Sequence, residues 1–190
     1  MAEPEEAEHT GAEIVLIRHA PALDGGCMAG RRDVPCAPVD PGVAAALRAA
    51  VGPARVIASP ARRCMETAAA LFGRCETDPR LWEQDFGLWE GIAYADVPDL
   101  GALSAEALAR HCPPGGESFT TLIDRVAPAF AEWSGRVAVV AHAGTVRAAL
   151  ALATGSPGGA LAFQVAPLSL TRVLRAPGGW AVIEVNRRFG

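Results

Sequence analysis

Short apolar runs punctuate the chain, and the first ones each stop at a polar, chemically capable residue. Ile14–Ile17 is apolar throughout and rich in β-branched side chains, the pattern of a strand covered on both faces, and it ends at Arg18-His19-Ala20-Pro21. Arg55–Ala58 is a second short run, ending at Ser59-Pro60. Val137–Ala141 is the clearest, with five apolar residues directly before His142. Ser169–Leu174 and Trp180–Val185 read as two further strands joined by a turn at Pro177-Gly178-Gly179.

Helical patterns fill the gaps. Val43–Val51 is helix-forming, with Asp40 placed to cap it and Pro41 at the first helical position. Ala61–Phe72 is a second helix that Gly73 can close. Ser118–Trp133 carries Phe119, Leu122, Ile123, Val126 and Phe130 at helical spacing, with Pro128 as a possible kink point. Thr145–Ala153 is a fourth. Residues 80–116 are less regular and hold Trp82, Trp89, Tyr94 and a Pro113-Pro114-Gly115-Gly116 stretch. Strands alternating with helices predict an α/β domain, a three-layer sandwich with a mainly parallel central sheet and helices on both faces. At 190 residues the chain has room for one such domain.

Charge changes this picture at one end. The formal charge is −4, yet residues 1–13 hold five glutamates and no arginine, leaving 17 basic and 16 acidic residues in the remainder. We therefore expect an acidic disordered tail over 1–13 and a folded domain over 14–190. No basic excess points to nucleic acid, and apolar segments such as Ala148–Ala153 are far too short for a membrane span. The N-terminus lacks the positive charge and apolar run of a signal peptide, so a cytoplasmic location is expected. All 17 basic residues are arginine. A catalytic lysine and a lysine-containing phosphate loop are thus excluded, and any bound phosphate must be gripped by Arg, His or backbone N–H groups. The five cysteines form no CxxC pair, which argues against zinc and for reduced structural thiols.

Chemistry concentrates where strands end. His19 and His142 each follow an apolar strand, where ligands bind in open α/β sheets. Arg18 precedes the first, and Arg62-Arg63 opens the helix after the second strand, so guanidinium groups and a helix N-terminus are available for an anion. The stretch Leu81 to Gly91 sets three acidic side chains among aromatics, where a carboxyl pKa is expected to rise toward that of a general acid. Spacing alone does not say which of them acts.

Taken in order, Arg18-His19-Ala20, Ser59-Pro60-Ala61-Arg62-Arg63 with Thr67-Ala68, Glu83 with Phe86 to Gly91, Gly116-Glu117-Ser118 and His142-Ala143-Gly144 resemble the histidine phosphatase, or phosphoglycerate-mutase-like, superfamily. The resemblance spans residues 14–190. It implies that His19 is a nucleophile that becomes a phosphohistidine, and that Arg18, Arg63 (not Arg62), His142 and the Ala143 backbone hold the phosphoryl group. It also implies that Glu83 protonates the leaving oxygen and then activates water. Arg18, Arg63 and a protonated His142 would supply the positive charge, so no cofactor and no metal are expected. The family usually has Gly where Ala20 and Ala143 stand, and its mutases usually have Asn where Gly25 stands.

The expected substrate is a small phosphorylated molecule. Gly30 to Pro35, Phe86 to Gly91 and Pro113 to Phe119 look most like alpha-ribazole phosphatases of the cobalamin pathway, with Arg31 and Glu117 as candidate rim residues. A broad-specificity sugar phosphatase, a mutase-type phosphotransferase and a non-catalytic phospho-ligand binder are the alternatives. Short length, the missing Asn and the absence of a long insertion weigh against the mutase. Retention of Glu83 weighs against the binder, and the aromatic 82–94 region weighs against an open-pocketed regulator of phosphohistidine proteins.

Overall fold

The computed structural model describes residues 11–189. The chain runs β1 (Ala12–Arg18), α1 (Pro41–Val51), β2 (Arg55–Ala58), α2 (Arg62–Phe72), β3 (Glu76–Thr77), α3 (Ala105–Arg110), α4 (Phe119–Glu132), β4 (Gly135–Ala141), α5 (Ala143–Thr154), α6 (Pro157–Ala160), β5 (Leu170–Ala176) and β6 (Gly179–Arg187). Residues 1–10 of the expected tail lie outside the described residues. Ala12 and Glu13 do not belong to a tail: both pair in β1, with Glu13 opposite Arg136 and Leu174.

The six strands form one sheet in the order β3-β2-β4-β1-β5-β6. The left four are parallel, and β5–β6 adds an antiparallel hairpin at the β1 edge. Alternation along β1 and β4 explains the three layers. Ile14, Leu16, Val137 and Val139 point into a core built with α3, α4, α5 and α6, whereas Val15, Ile17, Ala138 and Val140 point into a second core under α1 and α2. Both faces are covered, which is why Ile14–Ile17 and Val137–Ala141 are apolar at every position. Each buried Val, Leu or Ile contributes about 1.5–3 kcal/mol by leaving water.

Local signals place the helices. Asp40 accepts hydrogen bonds from the backbone N–H of Gly42 and Val43, so α1 begins at Pro41, two residues before its apolar pattern. Ser118 caps α4 through Thr121 N. The first turn of α2 has no cap of its own; Asp33, 29 residues earlier, takes the Arg62 N–H at 2.6 Å. The helix after β4 starts at Ala143, immediately past His142, rather than at Thr145. Short elements without periodicity, β3, α3 and α6, carry no sequence signal long enough to read. Among the described residues no helix is long and apolar enough to cross a membrane.

Candidate active site

Parallel pairing of β1 with β4 sets Arg18 opposite Ala141, so the next residue on each strand is a histidine. The His19 N–H continues the ladder to Ala141 O at 2.9 Å. The two imidazoles meet edge to face, with centroids 5.2 Å apart.

Hydrogen-bond partners that can only donate or only accept decide the tautomers. His19 Nδ1 lies 2.7 Å from Ala20 O, so Nδ1 carries the proton and donates it. Its Nε2 therefore keeps a lone pair, which faces the Arg63 Nε–H at 3.3 Å. Burial, with Arg63 and Arg18 nearby and only partly offset by the Ala20 hydrogen bond, lowers the His19 pKa to about 3. The ring is neutral near pH 7. His142 is arranged in the opposite sense. Its Nδ1 accepts from Arg63 Nη2 at 3.1 Å, and its Nε2–H donates to Ser59 Oγ at 2.8 Å. Burial, then Arg63, His19 and Arg18, hold its pKa well below the ordinary histidine value. The expected protonated His142 is thus corrected: without an anion the ring is neutral, because a second cation beside Arg63 in a dry site is too costly.

Arg63, from the first turn of α2, is 1% exposed and is held by the carbonyls of Gly30 (2.8 Å) and Arg32 (3.0 Å) as well as by both histidines. Arg62 points away and pairs with Glu66 at 2.7 Å in solvent. Thr67 ties the nucleophile loop to α2, accepting from Ala20 N at 3.0 Å and donating to Arg63 O at 2.7 Å. Arg18 donates from Nη1 to Val165 O at 2.6 Å, and its Nε is buried without a partner. Burial lowers its pKa, Glu83 raises it, and Arg147 and Arg63 lower it further.

Glu83 reaches the N-terminus of α5, where Gly144 N approaches Oε2 at 3.4 Å. A Cβ at position 144 would land on that carboxylate and 2.7 Å from Leu122 Cδ2, so only glycine admits it. The segment carrying Glu83 is braced by Arg125, whose guanidinium donates to Arg80 O (2.6 Å), Trp82 O (3.1 Å) and Glu83 O (3.3 Å). Glu117 pairs with that same guanidinium and accepts from Asp85 N at 3.1 Å. Arg31 lies 3.5 Å from Glu117 and 3.9 Å from Asp85. Neither Arg31 nor Glu117 lines the cavity at His19; the two belong to the brace instead of the expected rim, because each finds an opposite charge within the fold.

That cavity measures about 250 Å³ and is lined by Arg18, His19, Asp24, Arg63, Glu83 and Arg147, with Phe86 and Tyr94 among the remaining walls. Tyr94 donates to Asp24 at 2.9 Å. Of the other aromatics, Trp82 packs on the α1–α2 core and Trp89 stacks on His111. His142 does not line the cavity itself; it sits behind Arg63 and His19 and touches both. Ala20 and Ala143 both have negative φ, so replacing the usual glycines costs no backbone strain. Arg147, Arg125 and the Asp24–Tyr94 pair carry no motif. For Arg147 one signal existed: it lies one helical turn past Ala143. Among the described residues, no group of three or more His, Cys, Asp or Glu is placed to hold a metal ion.

Comparison with known proteins gives the family. Residues 14–188 match the Histidine phosphatase superfamily (branch 1). A glucosyl-3-phosphoglycerate phosphatase of Mycolicibacterium vanbaalenii is 31% identical over 169 residues, 76% of this chain and 75% of that protein. The native structure of a mycobacterial glucosyl-3-phosphoglycerate phosphatase superposes with a TM-score of 0.79 at 25% identity, covering 93% and 99% of the two chains. The same phosphatase in complex with VO3 gives 0.79 at 25% identity over 92% and 98%. These relatives are glucosyl-3-phosphoglycerate phosphatases, not the alpha-ribazole phosphatases that the motifs suggested.

Proposed function

The chain belongs to branch 1 of the histidine phosphatase superfamily and is a phosphatase, and from that premise we propose that it hydrolyses small phosphomonoesters through a phosphohistidine on His19 without a metal. The observation that carries the reading is the proton arrangement at His19: Nδ1–H is committed to Ala20 O, and Nε2 presents a lone pair beside two arginines. A neutral imidazole in that state is a competent nucleophile across the physiological range.

In the first step His19 Nε2 attacks phosphorus, the ester P–O bond breaks, and Glu83 gives its proton to the departing oxygen. Arg63 and Arg18 take up the charge on the equatorial phosphoryl oxygens, the task a metal performs elsewhere. Arg63 Nε, already on the nucleophilic nitrogen, is beside those oxygens once the N–P bond exists. In the second step Glu83 removes a proton from water, the hydroxide attacks phosphorus, and the N–P bond breaks to release inorganic phosphate and restore His19. His142 orients Arg63 through Nδ1 and Ser59 through Nε2.

For the substrate, the relatives favour a phosphoglycerate ester of the glucosyl-3-phosphoglycerate kind. Alpha-ribazole 5′-phosphate belongs in the test panel on the strength of the segments at Gly30–Pro35, Phe86–Gly91 and Pro113–Phe119. Rapid quench with radiolabelled substrate in EDTA should trap an acid-labile, base-stable phosphoenzyme. His19→Ala should lose the label and at least about 10⁴-fold in turnover. Wild-type turnover in His19→Ala, or activity that vanishes in EDTA, overturns the mechanism.

A further inference from the structure

We propose that Arg147 selects phosphomonoesters carrying a carboxylate close to the ester, by pairing with that carboxylate while Arg18 and Arg63 hold the phosphoryl group. The inference rests on the phosphatase reading and deepens it.

The first observation is an imbalance of partners. Arg31, Arg55, Arg62, Arg80, Arg125, Arg136, Arg172 and Arg187 each pair with a carboxylate. The three arginines that line the cavity, Arg18, Arg63 and Arg147, form no ion pair among the described residues; Arg32, Arg48, Arg74, Arg110 and Arg188 form none either, but none of those five lines the cavity. Two of them are explained by the phosphoryl group: Arg18 adjoins His19 in sequence, and Arg63 touches its Nε2. Arg147 contacts neither His19 nor Arg63 nor His142 through a hydrogen bond, so it is a third guanidinium facing the same small cavity with no assigned anion.

The second observation is how it is held. Arg147 spends only Nε on the protein, donating to Phe163 O at 3.1 Å, which leaves the two terminal nitrogens for a ligand. Two residues on, Val165 O accepts from Arg18 Nη1 at 2.6 Å. One loop thus anchors two like charges on one wall, close enough that Arg147 lowers the pKa of Arg18. Such a pair is costly in the empty site and favourable once a ligand brings one anionic group to each. A planar carboxylate matches the two free nitrogens of a guanidinium. A second phosphate fits less well, because Asp24 lines the same 250 Å³ and repels added negative charge.

The test compares 3-phosphoglycerate with glycerol 3-phosphate, which differ only in carboxylate against hydroxymethyl. Wild-type enzyme should prefer the carboxylated ester in kcat/KM. Arg147→Gln should lower kcat/KM for 3-phosphoglycerate about tenfold or more, mainly through KM, and leave glycerol 3-phosphate within about twofold. Arg147→Lys should restore part of the preference, and inhibition by vanadate should be unchanged in both variants. An equal fall for both esters, or no wild-type preference, overturns the inference while the phosphatase reading stands. Turnover of neither ester, together with no phosphoenzyme from any substrate, overturns that reading and this inference with it.

Discussion

The nucleophile end of the cavity and the segment that carries Glu83 are held by different forces. His19, Arg63 and His142 are at most 4% exposed, and each follows directly from a strand or from the first turn of a helix. Their positions come from sheet register and two apolar cores. Residues 82–90 contain no α-helix or β-strand, only a short 3-10 turn at Gly87–Trp89, and none is fully buried. That segment is fixed by polar contacts with Arg125, Glu117 and Glu90, including Phe86 N to Glu90 Oε1 at 3.1 Å. The contrast teaches a division of labour. A phosphoryl group has one shape, so its cradle is rigid; leaving groups differ, so the acid and the outer wall sit on a segment that packing leaves adjustable.

Charge removal at the two ends should separate them most sharply. Arg63→Met is expected to reduce kcat/KM about 10³-fold and to abolish vanadate inhibition, because it removes the charge at the phosphoryl oxygens. Glu83→Gln should reduce kcat about 10²-fold with vanadate inhibition retained, and p-nitrophenyl phosphate, whose leaving group needs little protonation, should suffer least. Equal loss of vanadate affinity in both variants would erase the distinction.

A smaller effect comes from the brace. Arg125→Met frees the carbonyls of Arg80, Trp82 and Glu83 and leaves Glu117 without its main partner. About tenfold in kcat and 1–3 kcal/mol in stability by urea unfolding are expected. The His19 ring should keep its environment, seen as an unshifted imidazole resonance. A change at His19 as large as that at Glu83 would mean that the two ends are one unit.

The gentlest probe is pH. Both imidazoles bind a proton near pH 6.5 in the unfolded chain but resist it when folded, His19 down to about 3. The unfolded state therefore binds more protons below pH 6.5, so stability declines as pH falls from 6.5 toward 3 and is unaffected by these groups above 6.5. Each contributes a slope of up to about 1.4 kcal/mol per pH unit. Urea midpoints at pH 7.5, 6 and 5 should show the decline, and His19→Asn should make it shallower.

Sequence alone determined the parts of this protein that depend on neighbours along the chain. The apolar runs at Ile14–Ile17 and Val137–Ala141 announced buried strands, and so placed His19 and His142 at strand ends. The Asp40-Pro41 start and the apolar spacing of 118–133 placed two helices. The choice of Arg63 over Arg62 came from the family resemblance rather than from the residues alone. Tertiary structure alone decided what arises between distant residues. It showed that β1 lies beside β4, and that burial, together with the guanidinium of Arg63 from 79 residues away, keeps His142 neutral. It moved Glu117 from a rim to a brace with Arg125, and it brought Arg147 to the cavity by way of a carbonyl 16 residues on. Periodicity reports how each residue is buried, because burial repeats with the local geometry of helix and strand. Protonation and ion pairing depend on the few angstroms between groups that the chain separates widely, and only the packed fold sets those distances.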